Sequence, residues 1–284
     1  MTITIVISFL LFACDFIDTQ IPGERKQKEM TYSYGCLDST VSAGRVNRML
    51  GKGGDIVRDL IVNEKSITDE VQNEYGAAFH KDAVESKTFK MLDDPRINTH
   101  LNQVMQELLS VREVPSKIDY HIYALDDTAI NAFTFGGRIY VTKRMYEECE
   151  GKTALLYAIV GHEIGHSEKG HIKRTIQELH VSNKIFGEEN GLTAFSIKRI
   201  LTGSFNQKNE LEADYYGTDL AYQLDQDVCA AVGFWRKMAS SENEYNKVED
   251  FFRTHPFSAL RAECLQNHIN ANFQKNCGVL KKNS

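Results

Sequence analysis

Residues 158–171 read AIVGHEIGHSEKGH, three histidines and two glutamates set directly after an apolar run. On an α-helix, residues four apart lie about 40° apart around the axis. His162 and His166 therefore project from one face, one turn apart, and both imidazoles can reach one metal ion. Glu163 stands beside them, near enough to hold a water at that ion without displacing it. In this H-E-x-x-H arrangement the histidines hold zinc, the ion supplies Lewis acidity toward water and a carbonyl, and the glutamate takes the proton. The alternative is a polar helix end that happens to be rich in histidine. The preceding apolar run and Gly165 argue against it, because they mark a buried helix in which unpartnered polar groups would be costly.

A third ligand separates the possible sites. His171 lies five residues beyond His166, about 140° away on a continuous helix, and so faces elsewhere. The metzincin pattern needs a glycine three residues after the second histidine and a third histidine three later. Lys169 and Ile172 occupy those positions, which excludes it. Downstream, NELEADYYG places Glu210 and Asp214 four apart on one helical face, with Glu212 pointing away. Glu210 is the expected third ligand, and Asp214 the acceptor that orients a ligand histidine. Two histidines and one carboxylate would hold one Zn²⁺ per chain and leave its fourth position to water, as catalytic zinc requires.

Around these segments the composition is that of an ordinary globular protein. The 284 residues are 42% hydrophobic and 25% charged, enough for a full core. A net charge of -6 gives no broad basic surface, so nucleic acid is not an expected partner. No repeat of solenoid or propeller period and no linker of low complexity is present. At the N-terminus an apolar run from Ile3 to Ala13 is too short to span a bilayer and suits the core of a secretory signal. The following LFAC resembles a bacterial lipobox, which makes Cys14 a lipidation site and the product a periplasm-facing protein held at the membrane by a lipid anchor. The expected divisions are a signal over 1–14, a linker over 15–50, one domain over 51–275 and a tail over 276–284. None of the six cysteines forms a C-x-x-C. In an oxidising compartment some would pair, Cys264 with Cys277 being one possibility.

Apolar residues recur at helical spacing from Gly54 to about Tyr75 and from Asp94 to about Val111. Alternation at Ile118, Tyr120 and Ile122 predicts a strand, and GGRIYVT a second. Helices are then expected from about Thr153 through GHEIGH, over 172–206 with a break near GEENGL, through NELEADYYGTDLAYQL and AAVGFWRKM, and from Ala259 to about Asn272. Helices, short strands and then mostly helices make an α+β domain.

HEIGH followed by ELEAD resembles the HtpX/BepA/LoiP-like zinc metallopeptidases, which include the type I CAAX prenyl proteases. NAFTFGGRIYVT resembles that family's segment before the zinc helix, although Phe135 stands where a proline is usual. THPFSALR resembles its His-Pro-x(4)-Arg segment. The resemblance implies a mostly helical zincin-like domain with a small sheet whose edge strand lines the cleft. It implies that Asn131 and the strand from Gly137 to Thr142, with Ile139, receive an extended peptide. His255 would face the cleft, steadying the oxyanion or capping the metal at rest, with Arg261 as its structural companion. Taken alone, Asn131 reads as a turn residue and His255 as a loop residue. The activity implied is a zinc endopeptidase acting on unfolded or misassembled proteins in cell-envelope quality control. Its rival is a non-proteolytic chaperone or assembly factor that keeps the metal as structure.

Overall fold

The computed structural model describes residues 30–38, 67–186, 205–240, 255 and 259–278. Cys14, the expected signal, most of the linker and the stretch from Gly54 to Ser66 lie outside the described residues. Helix α1 is the short Gly35–Asp38. Helix α2, Asp69–Glu85, is capped by Thr68, whose hydroxyl accepts from Val71 N. It runs ten residues past the expected end at Tyr75. Its buried face carries Gln72, Gly76, Phe79 and Ala83, too little apolar bulk to register as a hydrophobic stripe. Helix α3, Pro95–Ser110, starts where Asp94 accepts from the backbone N–H groups of Arg96 and Ile97, with proline in the first turn. Its buried residues are Ile97, Leu101, Val104, Met105 and Leu108, the spacing read from the sequence.

Three strands follow: β1 His121–Leu125, β2 Ala132–Phe135 and β3 Arg138–Thr142, in the order β1-β3-β2. The alternation at Ile118, Tyr120 and Ile122 does mark buried positions, but the ladder begins only at His121, opposite Arg138. Strand β2 was not separated from β3 by the sequence pattern. The two form a hairpin whose loop is Gly136-Gly137, with φ of 59° and 82°. A two-residue turn of this kind needs positive φ at both central positions, which glycine adopts without strain.

After α4, Lys143–Glu148, helix α5 spans Thr153–Glu168 and is buried nearly all round. Helix α6, His171–Phe186, follows a break at Gly170, φ 76°. Helices α7, Gln207–Gln223, α8, Cys229–Ser240, and α9, Ala259–Phe273, complete the order. Asn206 caps α7 by accepting from Asn209 N at 2.9 Å. The central contact is α5 against α7. A Cβ on Gly161 would lie 2.9 Å from Gly217 Cα, and one on Gly165 would lie 2.9 Å from Ala213 Cα. Small residues four apart thus let the two backbones touch, and both helices carry candidate ligands.

The described residues contain two disulfides, Cys36–Cys264 and Cys229–Cys277, with Cys149 as a buried free thiol. Cys264 with Cys277, one of the possible pairings, is therefore not the one formed. Helix α9 rises about 1.5 Å per residue and carries the chain away from Cys264 before Cys277 is reached, whereas bridged Cα atoms must lie within about 7 Å. Among the described residues no helix is long and apolar enough to cross a membrane.

Candidate metal centre

Helix α5 brings His162 and His166 to one face with their Nε2 atoms 3.0 Å apart. Helix α7 supplies Glu210, whose Oε2 is 3.5 Å from His162 Nε2 and whose Oε1 is 3.5 Å from His166 Nε2. His255 adds Nδ1 at 3.3 Å from both His162 Nε2 and Glu210 Oε2. One donor atom from each of these four buried residues lies within 4.8 Å of all the others. Corners of a tetrahedron around zinc with bonds of about 2.0–2.1 Å are about 3.3 Å apart, close to these separations.

The polar bookkeeping also fits a cation. Both carboxylate oxygens of Glu163 and Oε1 of Glu210 are buried without a hydrogen-bond partner. His162 Nδ1 donates to Asp214 Oδ1 at 2.9 Å, so that the neutral ring would set a lone pair on the Nε2 that faces the cluster; against burial, the Asp214 and Glu210 carboxylates draw this histidine up to about 9, so the site attracts positive charge. Unpartnered acceptors in a dry interior are costly; an ion held by the four donors would partner Glu210, and a water beside it would partner Glu163. Burial holds His166 well below the usual imidazole range, so its lone pair is available for coordination. Burial alone would raise Glu210 and Asp214, but neighbouring positive charge, from His255 and Arg261 at Glu210 and from Arg261 and His162 at Asp214, outweighs it. At Glu163 burial wins: it pushes the carboxyl up despite the opposing influence of His255, whose Nε2 lies 3.5 Å from Oε1, and of His162.

Arg261 grips both acidic residues rather than serving only as a neighbour of His255. Its Nε and Nη2 each donate to Asp214 at 2.9 Å, and its Nη1 donates to Glu210 Oε2 at 2.7 Å. The guanidinium is fully buried and lies 4.5 Å above the Trp235 ring. The fork geometry therefore fixes the candidate ligand Glu210 and Asp214, the partner of His162, at once.

Two sequence readings are corrected here. His171 does not face elsewhere: the left-handed Gly170 ends α5, and the chain returns so that His171 Nδ1 lies 3.0 Å from His166 Nδ1. Glu212 does point away from the face of Glu210 and Asp214, and there its Oε2 is 3.0 Å from His171 Nε2. A lysine-glycine helix end, a recognisable stop, was the signal that could have placed His171. The strand of Gly137 and Ile139 is not an edge. Strand β3 is central and hydrogen-bonded on both sides, with Ile139 fully buried, while β2 is the outer strand beside it. Asn131, just before β2, has a buried carbonyl Oδ1 with no hydrogen-bond partner. His255 completes the group of four converged donors, and its Nε2 also reaches the β2 carbonyl of Ala132 at 3.1 Å. Phe205, not singled out by pattern, stacks on His166 with ring centroids 4.0 Å apart.

The sequence pattern of peptidase family M48 matches residues 95–269. The mitochondrial metalloendopeptidase OMA1 of Schizosaccharomyces pombe is 28% identical over 170 residues, 57% of this chain and 50% of its own length. A beta-barrel assembly-enhancing protease of Yersinia pestis is 26% identical over 194 residues, 61% of this chain and 38% of its own length. Metalloprotease LoiP of Escherichia coli is 26% identical over 166 residues, 54% of this chain and 64% of its own length. The chain spans half the length, or less, of the first two of these relatives. The matched region takes in more than half of the chain and contains α5, α7 and His255, all the residues that converge on the cluster. The chain belongs to peptidase family M48.

Proposed function

We propose that the chain is a zinc-dependent endopeptidase that cleaves unfolded or misassembled proteins, with cell-envelope quality control as its setting. The observation that carries the reading is Glu163, a buried carboxylate without a hydrogen-bond partner, set beside four converged metal donors. His162, His166 and Glu210 hold the ion, and Asp214 and Arg261 fix two of these ligands. Zinc in such a site supplies Lewis acidity toward water and a peptide carbonyl. Glu163, whose carboxyl burial raises, takes a proton from the attacking water and later delivers it to the leaving amine. His255 closes the cluster at rest and moves aside for substrate, from a position in which it can offset charge on the scissile carbonyl oxygen. An extended peptide pairs with the outer strand β2, and Asn131 offers its unpartnered amide oxygen to the peptide backbone. The two disulfides favour an oxidising compartment, in line with export and a lipid anchor on Cys14. The name of the beta-barrel assembly-enhancing relative supports misassembled envelope proteins as the substrate class.

One observation favours the rival reading, a non-proteolytic assembly factor: His255 gives the cluster a fourth protein donor, as closed structural sites have. Cleavage of unfolded casein by the wild type and Glu163→Gln, with metal content measured for both, separates the two. The enzyme reading expects a loss of roughly 10²–10⁴-fold in rate with metal retained. Equal rates, or no cleavage by either, would leave the assembly factor standing.

A further inference from the structure

The two ring nitrogens of His166 face opposite ways. Nε2 looks into the cluster, 3.5 Å from Glu210 Oε1, and Nδ1 looks out of it, 3.0 Å from His171 Nδ1. His171 is itself buried, and its other nitrogen, Nε2, lies 3.0 Å from Glu212 Oε2. Three groups in line are thus joined by two contacts of hydrogen-bond length.

Proton positions along this line follow from elementary accounting. A neutral imidazole carries one N–H and one lone pair. For His166 Nε2 to hold a metal ion, its proton must sit on Nδ1 and be donated to His171 Nδ1. That nitrogen must then be the acceptor, so the His171 proton sits on Nε2 and is donated to the Glu212 carboxylate. Each contact has a donor and an acceptor. In the reverse order the His166 proton would sit on Nε2 and point at the cluster. His171 Nε2 would then set a lone pair against a carboxylate oxygen 3.0 Å away. One direction alone satisfies every atom.

We propose that His171 and Glu212 act as positioning residues that select the metal-holding tautomer of His166 and fix its ring. This rests on the metal-site reading above and adds a support for the second histidine that differs from the carboxylate behind His162. Orienting partners of ligand histidines typically change metal affinity by roughly 10–100-fold when removed, and here the partner is an imidazole that passes the orientation on from Glu212. The break at Gly170 makes it possible, because it ends α5 and starts α6 with His171 folded back onto its predecessor.

The test compares His171→Leu, which has neither donor nor acceptor, with His171→Gln, whose amide can accept from His166 Nδ1 and donate to Glu212. Zinc affinity is measured by competition with a chromophoric chelator, and the His166 ring nitrogens are followed by ¹⁵N NMR in the zinc-loaded protein. Affinity should fall roughly 10–100-fold in His171→Leu and recover to within a few-fold of wild type in His171→Gln. The NMR spectrum should place the His166 proton on Nδ1 in wild type and in the Gln variant. Equal affinity of the Leu variant and wild type, failure of Gln to improve on Leu, or a His166 proton on Nε2 would overturn the proposal. If the Leu variant does not fold, Glu212→Ala at the partly exposed end gives the same reading: weaker zinc supports the proposal and unchanged zinc overturns it. His166→Ala serves as the reference. Retention of zinc by that variant would break the metal-site reading itself, whereas its loss together with normal zinc binding in His171→Leu would break only the present inference.

Discussion

His162 and His166 stand one helical turn apart and face the same cluster, yet the nitrogens on their far sides rest on different chemistry. Behind His162 is Asp214, a buried carboxylate held in a two-pronged grip by Arg261, which also grips Glu210. Behind His166 is an imidazole, His171, and behind that a carboxylate whose side chain is 23% exposed. The first arrangement is charge-dense and dry. The second uses a neutral ring to span the distance to the surface. Two neighbouring histidines of one cluster are thus oriented by different means, with different consequences expected when each is disturbed.

The largest effect should come from the dry arm. Arg261→Met leaves two buried carboxylates without their shared cation, and breaking a buried ion pair from one side costs about 3–5 kcal/mol. Urea unfolding of the metal-free protein should show a loss of that order. Glu212→Ala, at the partly solvated end of the other arm, should cost far less in the same measurement. Comparable losses from the two changes would erase the contrast.

A disturbance common to both histidines comes next. Gly165 lies between them and the α7 backbone, where a Cβ would meet Ala213 Cα and O at 2.9 Å. Gly165→Ala should force the helices apart at a cost of about 1–3 kcal/mol and should weaken zinc binding through both arms together. An unchanged melting temperature would mean that helix separation does not govern the site.

The two arms were unequally legible in the sequence. His162, His166, Glu210 and Asp214 could be placed because each pair sits on one continuous helix, where a spacing of four fixes a shared face whatever the rest of the fold does. Arg261 and His255 came only from resemblance, since no local periodicity ties a loop histidine or a distant arginine to α7. His171 was misplaced for a definite reason. The angle assigned to it assumes a helix continuous from His166 through Gly170, where the chain in fact takes a left-handed turn and starts again. Strand order was hidden in the same way: the alternation of β3 reveals which residues are buried, but says nothing of whether partners lie on one side or two. The expected end of α2 falls short because Gly76, its next buried position, offers no apolar side chain, and only Phe79 and Ala83 continue the packing face beyond it.

The smallest effect belongs to Lys208, and it is informative because it should be small. Its Nζ lies 3.7 Å from Glu212 Oε1, with the lysine side chain 64% exposed, while the other oxygen of Glu212 faces His171 Nε2 at 3.0 Å. The lysine therefore shares the carboxylate with His171 but does not lie on the path to His166. An exposed pair of this kind is worth about 0–1 kcal/mol and is screened by salt, with a Debye length of about 3 Å at 1 M. Lys208→Ala should leave zinc affinity within about twofold of wild type, well under the 1.4 kcal/mol that a tenfold change requires. A fall in affinity as large as that of His171→Leu, abolished in both variants by 1 M salt, would mean that surface charge rather than the hydrogen-bonded line steadies His166. The two arms would then differ in degree and not in kind.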